Sequence, residues 1–475
     1  MSAAITDTLP AHAGWLDWLR RELAPSHERK VRTLILICGA VLCVIISMTL
    51  QVPQLATSAY MAFFISKETK EVTTMTGVGG LIGLTLGIAA SLLLYKFTYG
   101  HPELRIPAMA IVLFLGMYAS RILVIGPIGF LLGFVIAVTQ SIGELVSSPE
   151  QLVREVLWIW VALAYAVGLT VVLNRLFLPT PAGPPPRRPK PRSLLVPDAF
   201  TNPAHVRFAL KVTLATMICY LLYTGVDWFG IHTAFITCTF IALESAGATF
   251  RKGILRTAGC IIGGLLALLS IIILIPHMET IASLVVLVAV VSAIAGWVAA
   301  GTERIAYAGL QIAFAFFYAL FQGVEDYAPG TDLDNVRNRV VGILLGLFVT
   351  AVVFEYIWPE RAVDRLRDAL KQALRQLSQL LTKHDQETTH LIGEISADLT
   401  QARRQAELAS FEPEDPATTD QEPTTKMEKV LARAEKIFAS AKSVISDAAG
   451  IQSEKQEQAR TALLAEIATE TQTLG

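Results

Sequence analysis

The apolar segments of this chain fall into two similar blocks, which begin near residues 31 and 206. Each block has six apolar segments, a pair of glycines four residues apart and a closing proline. The matched positions lie 176 to 183 residues apart: Glu68 with Glu244, Gly79 with Gly259, Gly83 with Gly263, Arg121 with Arg304, Gln140 with Gln322, and Pro179 with Pro359. A membrane protein built from two like halves usually binds its substrate where the halves meet.

The composition identifies the apolar segments as membrane spans. Charged residues make up 17% of the 475 residues, whereas soluble domains average about 25%. Since about 20 apolar residues cross a bilayer as a helix, we predict an all-α polytopic membrane protein. The weakest spans are 55–66, which is short, and 124–142, which contains glycine and proline. The twelve predicted spans are 33–51, 55–66, 74–96, 106–121, 124–142, 154–177, 206–224, 229–245, 255–275, 280–300, 304–322 and 337–358.

The charges of the connecting loops predict the orientation. With a cytoplasmic N-terminus, the inner connections carry most of the lysines and arginines, and the outer ones are acidic, as the positive-inside rule requires. Six spans per half is an even number, so we predict parallel repeats with both termini cytoplasmic. The predicted regions are a cytoplasmic segment 1–30, a first repeat 31–178, a linker 179–203, a second repeat 204–359 and a helical domain 360–475.

The regions outside the spans are polar. The linker 179–203 is rich in proline and basic residues, which predicts a stiff segment near anionic lipid headgroups. After Pro359, leucines at helical spacing predict an amphipathic helix starting near Val363. A second helix is expected at about 385–411, a loop at 412–425 and a final helix at about 426–472. This domain is expected to pack on itself or on a second subunit, so a homodimer is possible.

Two arginine- and glycine-containing stretches carry a family resemblance. Arg256 precedes Gly259 and Gly263, and Arg339 precedes a similar pair before the closing Trp-Pro at 358–359. In this order the motifs resemble those of the fusaric acid resistance protein-like family, which contains aromatic acid exporters and multidrug efflux subunits of Gram-negative inner membranes. The resemblance implies a proton-coupled exporter of aromatic or organic acids or amphipathic drugs. It also implies a periplasmic adaptor (membrane fusion) protein and an outer-membrane channel as partners.

Ionisable residues near apolar spans are expensive and are candidates for proton transfer. Glu68 and Glu244 follow the second span of each half, Glu68 beside two lysines and Glu244 without a neighbouring charge. His232 lies just inside the eighth span, and an unperturbed histidine titrates near neutral pH. For each of the three, an interfacial or structural role is the alternative.

Arginines and amides are candidates for substrate binding. Arg121 and Arg304 lie in matching connections and would pair with a carboxylate, with membrane anchoring as the alternative. Tyr307 and Gln311 follow Arg304 at helical spacing, so we predict that the three share one face. Gln140 and Gln322 end the fifth spans, where amides line a cavity or join helices.

Other polar or small residues are given structural interpretations. Arg251 and Arg256 are interpreted as headgroup anchors. Arg337 and Arg339 are interpreted as part of an outer ion-pair cluster, with a gate or adaptor contact as the alternative. The cysteines and the Gly-x3-Gly pairs at 79/83, 259/263 and 342/346 are interpreted as packing residues.

Motifs for other protein classes are missing from the sequence. There is no nucleotide-binding loop, metal-ligand spacing or nucleophile elbow. We therefore expect neither an enzyme nor an ATP-driven pump, and no cofactor, metal or nucleic acid. A passive organic-anion channel and a membrane scaffold remain alternatives to the exporter.

Overall fold

The computed structural model describes residues 15–144, 146, 148–179, 193–243, 245–321, 329–330, 332–382, 388–412, 422–446 and 454–474. Within these ranges the regular structure is helical, and the one strand-like feature is an isolated bridge between Leu123 and Leu195. The predicted all-α fold is confirmed. The chain divides into two compact units, residues 1–242 with 253–353, and residues 243–252 with 354–475.

The helices of the two halves have the same order of lengths. A short helix α1 (Trp15–Glu22) precedes the first half. The first half contains α2 (His27–Leu50), α3 (Leu55–Ile65), α4 (Lys70–Thr98), α5 (Pro102–Ile122), α6 (Gly126–Ser141) and α7 (Pro149–Phe177). The second half contains α8 (Pro203–Gly225), α9 (Thr233–Ile241), α10 (Ala246–Leu269), α11 (Ile281–Ala299), α12 (Ala306–Phe321) and α13 (Asp334–Tyr356). In each half, the second and fifth helices are therefore short and the other four are long.

Eight helices in the described part of the chain are long and apolar enough to cross a membrane. The second and fifth helices of each half are shorter. At 1.5 Å per residue, α3 is about 16 Å long, about half the thickness of the hydrocarbon core. The predicted spans 55–66 and 229–245 are therefore not complete spans, because the chain leaves helical geometry at Ser66 and Ala242.

The connection that follows each short second helix has the same hydrogen bond. The Lys67 amide donates to Thr73 Oγ1 at 2.9 Å, and the Leu243 amide donates to Thr249 Oγ1 at 3.0 Å. A threonine one turn into the next helix therefore satisfies this backbone donor in both halves.

Glycine packing shows how the halves correspond in α4 and α10. A Cβ added at Gly259 would lie 2.5 Å from the Ala308 carbonyl oxygen of α12, so α10 and α12 are in close contact. In the first half the packed glycine is Gly83, whose added Cβ would lie 2.8 Å from Leu131 of α6. Gly79 has open space around it. The predicted match of Gly79 with Gly259 was wrong, because the helices correspond at an offset of 176 residues, as Glu68 and Glu244 do.

Two hydrogen bonds join the halves at equivalent places. The first helix of each half packs on the fourth helix of the other half: α2 packs on α11, and α8 packs on α5. A twofold relation between the halves requires this exchange. The Trp297 indole N–H donates to the Leu23 carbonyl at 3.1 Å. The Tyr118 hydroxyl donates to the Ala199 carbonyl at 3.0 Å. We call these the Trp297 tie and the Tyr118 tie.

The second compact unit is a bundle of four helices together with residues 243–252. The helices are α14 (Ala362–Thr382), α15 (Thr388–Ala409), α16 (Glu422–Ser446) and α17 (Glu454–Thr473). The leucines predicted to form an apolar face of α14 are buried, and Val363 at the start of the helix is half-buried. The single final helix predicted at 426–472 was wrong, because two helices that pack on each other occupy this region. The predicted loop 412–425 lies largely outside the described residues, and α16 already begins at Glu422.

One carboxylate joins two helix starts in this unit. Glu412 Oε1 accepts the Ala362 amide at 2.5 Å and the Gly247 amide at 3.2 Å. Arg251 of α10 also lies 3.7 Å from the Glu407 carboxylate and over the Phe411 ring. The first turns of α10 are therefore fixed to the end of α15.

Candidate functional site

Arg256 lies inside the protein on the third turn of α10. Its side chain is 2% exposed. The guanidinium donates to Gln311 Oε1 at 2.9 Å, to the Tyr307 hydroxyl at 3.3 Å and to Thr237 Oγ1 at 3.2 Å. The close approach of α10 and α12 at Gly259 is what brings Arg256 opposite Gln311. A buried guanidinium is costly, and these three neutral acceptors offset part of that cost without supplying a negative charge.

Arg339 is a second buried arginine, on the second turn of α13 and 3% exposed. Its guanidinium carbon lies 4.7 Å from the centre of the Phe314 ring and 4.5 Å from that of Tyr318. The Arg256 guanidinium carbon lies 5.7 Å from the same Phe314 ring. Two cations therefore share one aromatic ring on α12, and the faces of aromatic rings attract cations.

The first half contributes to the same place through α3. Tyr60 contacts Phe314 edge to face, with ring centres 4.8 Å apart. Thr57 Oγ1 and the Tyr318 hydroxyl are hydrogen-bonded at 2.8 Å. The site thus lies where α3 of the first half meets α12 of the second. We define the anion site by seven residues: Tyr60, Arg256, Tyr307, Gln311, Phe314, Tyr318 and Arg339.

The electrostatics of the site favour an anionic ligand. Among the described residues, the hydrogen-bond partners of Arg256 are neutral oxygens, and its Nη2 has no hydrogen-bond partner. A guanidinium fork matches a carboxylate in geometry and charge. The rings of Tyr60, Phe314 and Tyr318 pack on one another beside the two guanidiniums. The arrangement therefore suits an anion that carries an apolar, planar body.

The first half has no equivalent charged group at this place. At the offset of 176, Gly80 corresponds to Arg256, and no atom would lie within 4 Å of its added Cβ. The residue that packs on Gly83, as Gln311 packs on Gly259, is the apolar Leu131. Within the described residues, the Arg256–Gln311 pair therefore occurs in the second half alone.

The structure brings together two of the residues predicted from sequence. Tyr307 and Gln311 both contact Arg256. Arg304 does not share their helical face, because α12 begins only at Ala306. Its half-exposed side chain instead lies 3.8 Å from the carboxylate of Glu22.

The other predicted residues lie elsewhere. Gln140 is buried and donates to the Ser91 carbonyl and hydroxyl at 3.0 and 2.9 Å, which joins α6 to α4. Arg121 ends α5, with its guanidinium over the Phe208 ring of α8. Glu68 is exposed, and His232 lies beside the Phe229 carbonyl, 3.1 Å from Nδ1. Glu244 and Gln322 lie outside the described residues.

Sequence reasoning missed Arg256 and Arg339. Arg256 was interpreted as a headgroup anchor because the span was predicted to start at 255, whereas α10 starts at Ala246. The sequence did contain a usable signal. Both arginines precede their glycines at i+3 and i+7, which lie on one helical face. An arginine on the face that packs against a neighbouring helix points into the bundle.

Comparison with known proteins identifies a family. The family model described as "Aluminium activated malate transporter" matches residues 199–458, which include α8 to α13. The match covers more than half of the chain. The chain belongs to this family. Membership places it among membrane transporters rather than enzymes.

Curated relatives also match. The multidrug resistance protein MdtO of Escherichia coli O157:H7 is 38% identical over 214 residues, which is 45% of this chain and 30% of that protein. MdtO of Shigella flexneri is 37% identical over the same length. The matched stretch is thus less than a third of these relatives. The resemblance to exporters of the fusaric acid resistance-like family, predicted from the motifs, is confirmed.

Proposed function

We propose that this protein exports organic anions, above all aromatic carboxylates and amphipathic drugs, across the inner membrane. The observation that carries the proposal is the pair of buried arginines against one phenyl ring, Arg256 and Arg339 beside Phe314. An ionisable group inside a membrane bundle is expensive and marks a substrate or ion pathway. A bound carboxylate would supply the charge that the neutral acceptors of Arg256 do not.

The surroundings of Arg256 support the substrate class. A carboxylate there would accept hydrogen bonds from the guanidinium and from the Tyr307 hydroxyl, which already lie 3.3 Å apart. An aromatic ring attached to it would pack on Phe314 and Tyr60. Since Tyr60 belongs to the first half and Arg256 to the second, a movement between the halves would change the site, as alternating access requires.

Energy coupling, topology and partners belong to the same proposal. We infer coupling to the proton gradient, two parallel repeats and cytoplasmic termini, which the loop charges support. The name of the MdtO relatives, multidrug resistance protein, supports efflux. A periplasmic adaptor, an outer-membrane channel and a homodimer are proposed from the family resemblance. Glu244 is the proposed proton carrier.

The test is flux in proteoliposomes with an imposed pH gradient. Aromatic and aliphatic carboxylates of matched charge are compared, each with its uncharged amide. We expect gradient-driven flux of the aromatic carboxylates, which Arg256→Gln abolishes and Arg304→Gln leaves intact. Glu244→Gln should uncouple flux from the gradient. Flux that does not depend on the pH gradient, together with large single-channel currents, would instead establish a passive anion channel.

A further inference from the structure

Lys67 is a cation at the end of the aromatic residues that lead to the anion site. It lies in the connection between α3 and α4 and is half-buried. Its Nζ donates to the Phe64 carbonyl at 2.9 Å and lies 5.4 Å from the centre of the Phe64 ring. Burial lowers the pKa of Lys67, and the nearby charge of Arg32 lowers it further.

The charge of Lys67 has no counter-ion in the described part of the chain. No carboxylate there lies within ion-pair distance of its Nζ, and the adjacent Glu68 is exposed. The charge of Arg32 adds to the positive potential at Lys67. Such a place attracts an anion and costs free energy when it is empty.

Aromatic contacts connect Lys67 to the anion site without a break. The Phe64 ring lies 5.9 Å from Tyr60, Tyr60 lies 4.8 Å from Phe314, and Phe314 lies 4.7 Å from the Arg339 guanidinium carbon. Phe64 also contacts Phe240 of α9 at 6.2 Å, so this row of rings follows the interface between the halves.

The equivalent connection in the second half shows that the fold does not need a lysine here. Leu243 occupies the position of Lys67 at the offset of 176, and its amide makes the same hydrogen bond to a threonine. The lysine side chain therefore has a role other than forming this turn.

We propose that Lys67 is an entrance site that captures the anionic group of the substrate on the cytoplasmic side. The anion then passes along Phe64 and Tyr60 to the two arginines. This inference rests on the proposed function, and it assigns a binding step that precedes occupation of Arg256.

The experiment compares full-length Lys67→Leu, Lys67→Arg and Lys70→Leu proteins in membrane vesicles of both orientations. The probe is radiolabelled benzoate, with benzamide as the uncharged control. In inside-out vesicles, Lys67→Leu should raise KM for benzoate about tenfold with Vmax retained, and should weaken the dependence on salt. Lys67→Arg and Lys70→Leu should behave as the wild type, as should every variant in right-side-out vesicles.

The outcomes separate this inference from the proposed function. If Lys67→Leu keeps the wild-type KM while Arg256→Gln abolishes flux, the entrance site is refuted and the proposed function stands. If neither substitution changes benzoate flux, the proposed function fails as well. An equal loss in both orientations would show a structural defect and refute the entrance role. Should Lys67→Leu not accumulate, Lys67→Gln is measured in the same way.

Discussion

Alanine at Gly259 should damage the protein, and alanine at Gly79 should not. The two glycines occupy the same place in the Gly-x3-Gly pattern, 180 residues apart, and both lie within long helices. The Cβ of Gly259→Ala would lie 2.5 Å from the Ala308 carbonyl oxygen and 2.6 Å from Gln311 Cβ. The Cβ of Gly79→Ala would have no atom within 4 Å.

The expected change in stability follows from two opposing effects of the added methyl group. Replacing a helical glycine by alanine gains about 0.8–1.0 kcal/mol in either helix. At Gly259 the new methyl group must push α12 away by about 1 Å to reach ordinary contact distance, and overpacking of this kind costs about 1–3 kcal/mol. Since the helix gain is common to both variants, the difference between them isolates the clash, at about 1–3 kcal/mol.

The assay is thermal unfolding of the purified proteins in one detergent, together with benzoate flux. We expect Gly79→Ala to unfold at or above the wild-type temperature and Gly259→Ala below it. Flux should fall in Gly259→Ala alone, because Gln311 is displaced from Arg256. Equal unfolding temperatures for the two variants would refute the close packing of α10 on α12 at Gly259.

Three further predictions concern residues outside the anion site. Arg304→Gln should cost less than about 1 kcal/mol of stability and leave anion flux unchanged, because Arg304 is half-exposed and the buried Glu22 carboxylate keeps its hydrogen bond from Thr302. Urea titration and flux assays check this. Burial raises the pKa of Glu412, so the native state holds its proton more tightly than the unfolded state and stability should fall as pH rises above about 4.5. Glu412→Gln should remove that part of the pH dependence in unfolding curves, and an unchanged curve would contradict it. Trp297→Phe and Tyr118→Phe should each cost about 1 kcal/mol in thermal unfolding, with Phe208→Leu beneath Arg121 as a comparison without a lost hydrogen bond.

The fold could be predicted from the sequence because its signals are local. Apolar length places the helices, and the leucine spacing after Val363 places the buried face of α14. Apolar length marked 55–66 as short, but it did not mark α9, because Ala242 and Leu243 continue the apolar run after the helix ends. The ends of α3 and α9 depend on hydrogen bonds to Thr73 and Thr249 in the helices that follow.

The anion site was only partly predictable, because it depends on which helix faces meet. Tyr307 and Gln311 were found from helical spacing, but their partner was taken to be Arg304, the nearest arginine in the chain. The actual partner, Arg256, is 55 residues from Gln311 and is brought to it by glycine packing. Loop charge rules treat every arginine near a span end alike, so they could not separate Arg256 from Arg251.

The Trp297 and Tyr118 ties have a consequence for how the two halves move. Each tie joins the fourth helix of one half to the segment that leads into the first helix of the other half. A rotation about an axis between the halves would therefore stretch both bonds together. At about 1 kcal/mol each, the pair would favour the tied conformation by about 2 kcal/mol, a population ratio of about 30 to 1. With one tie lost the ratio would be about 5 to 1, so the balance between two conformations can be adjusted in steps by residues that never touch the transported molecule.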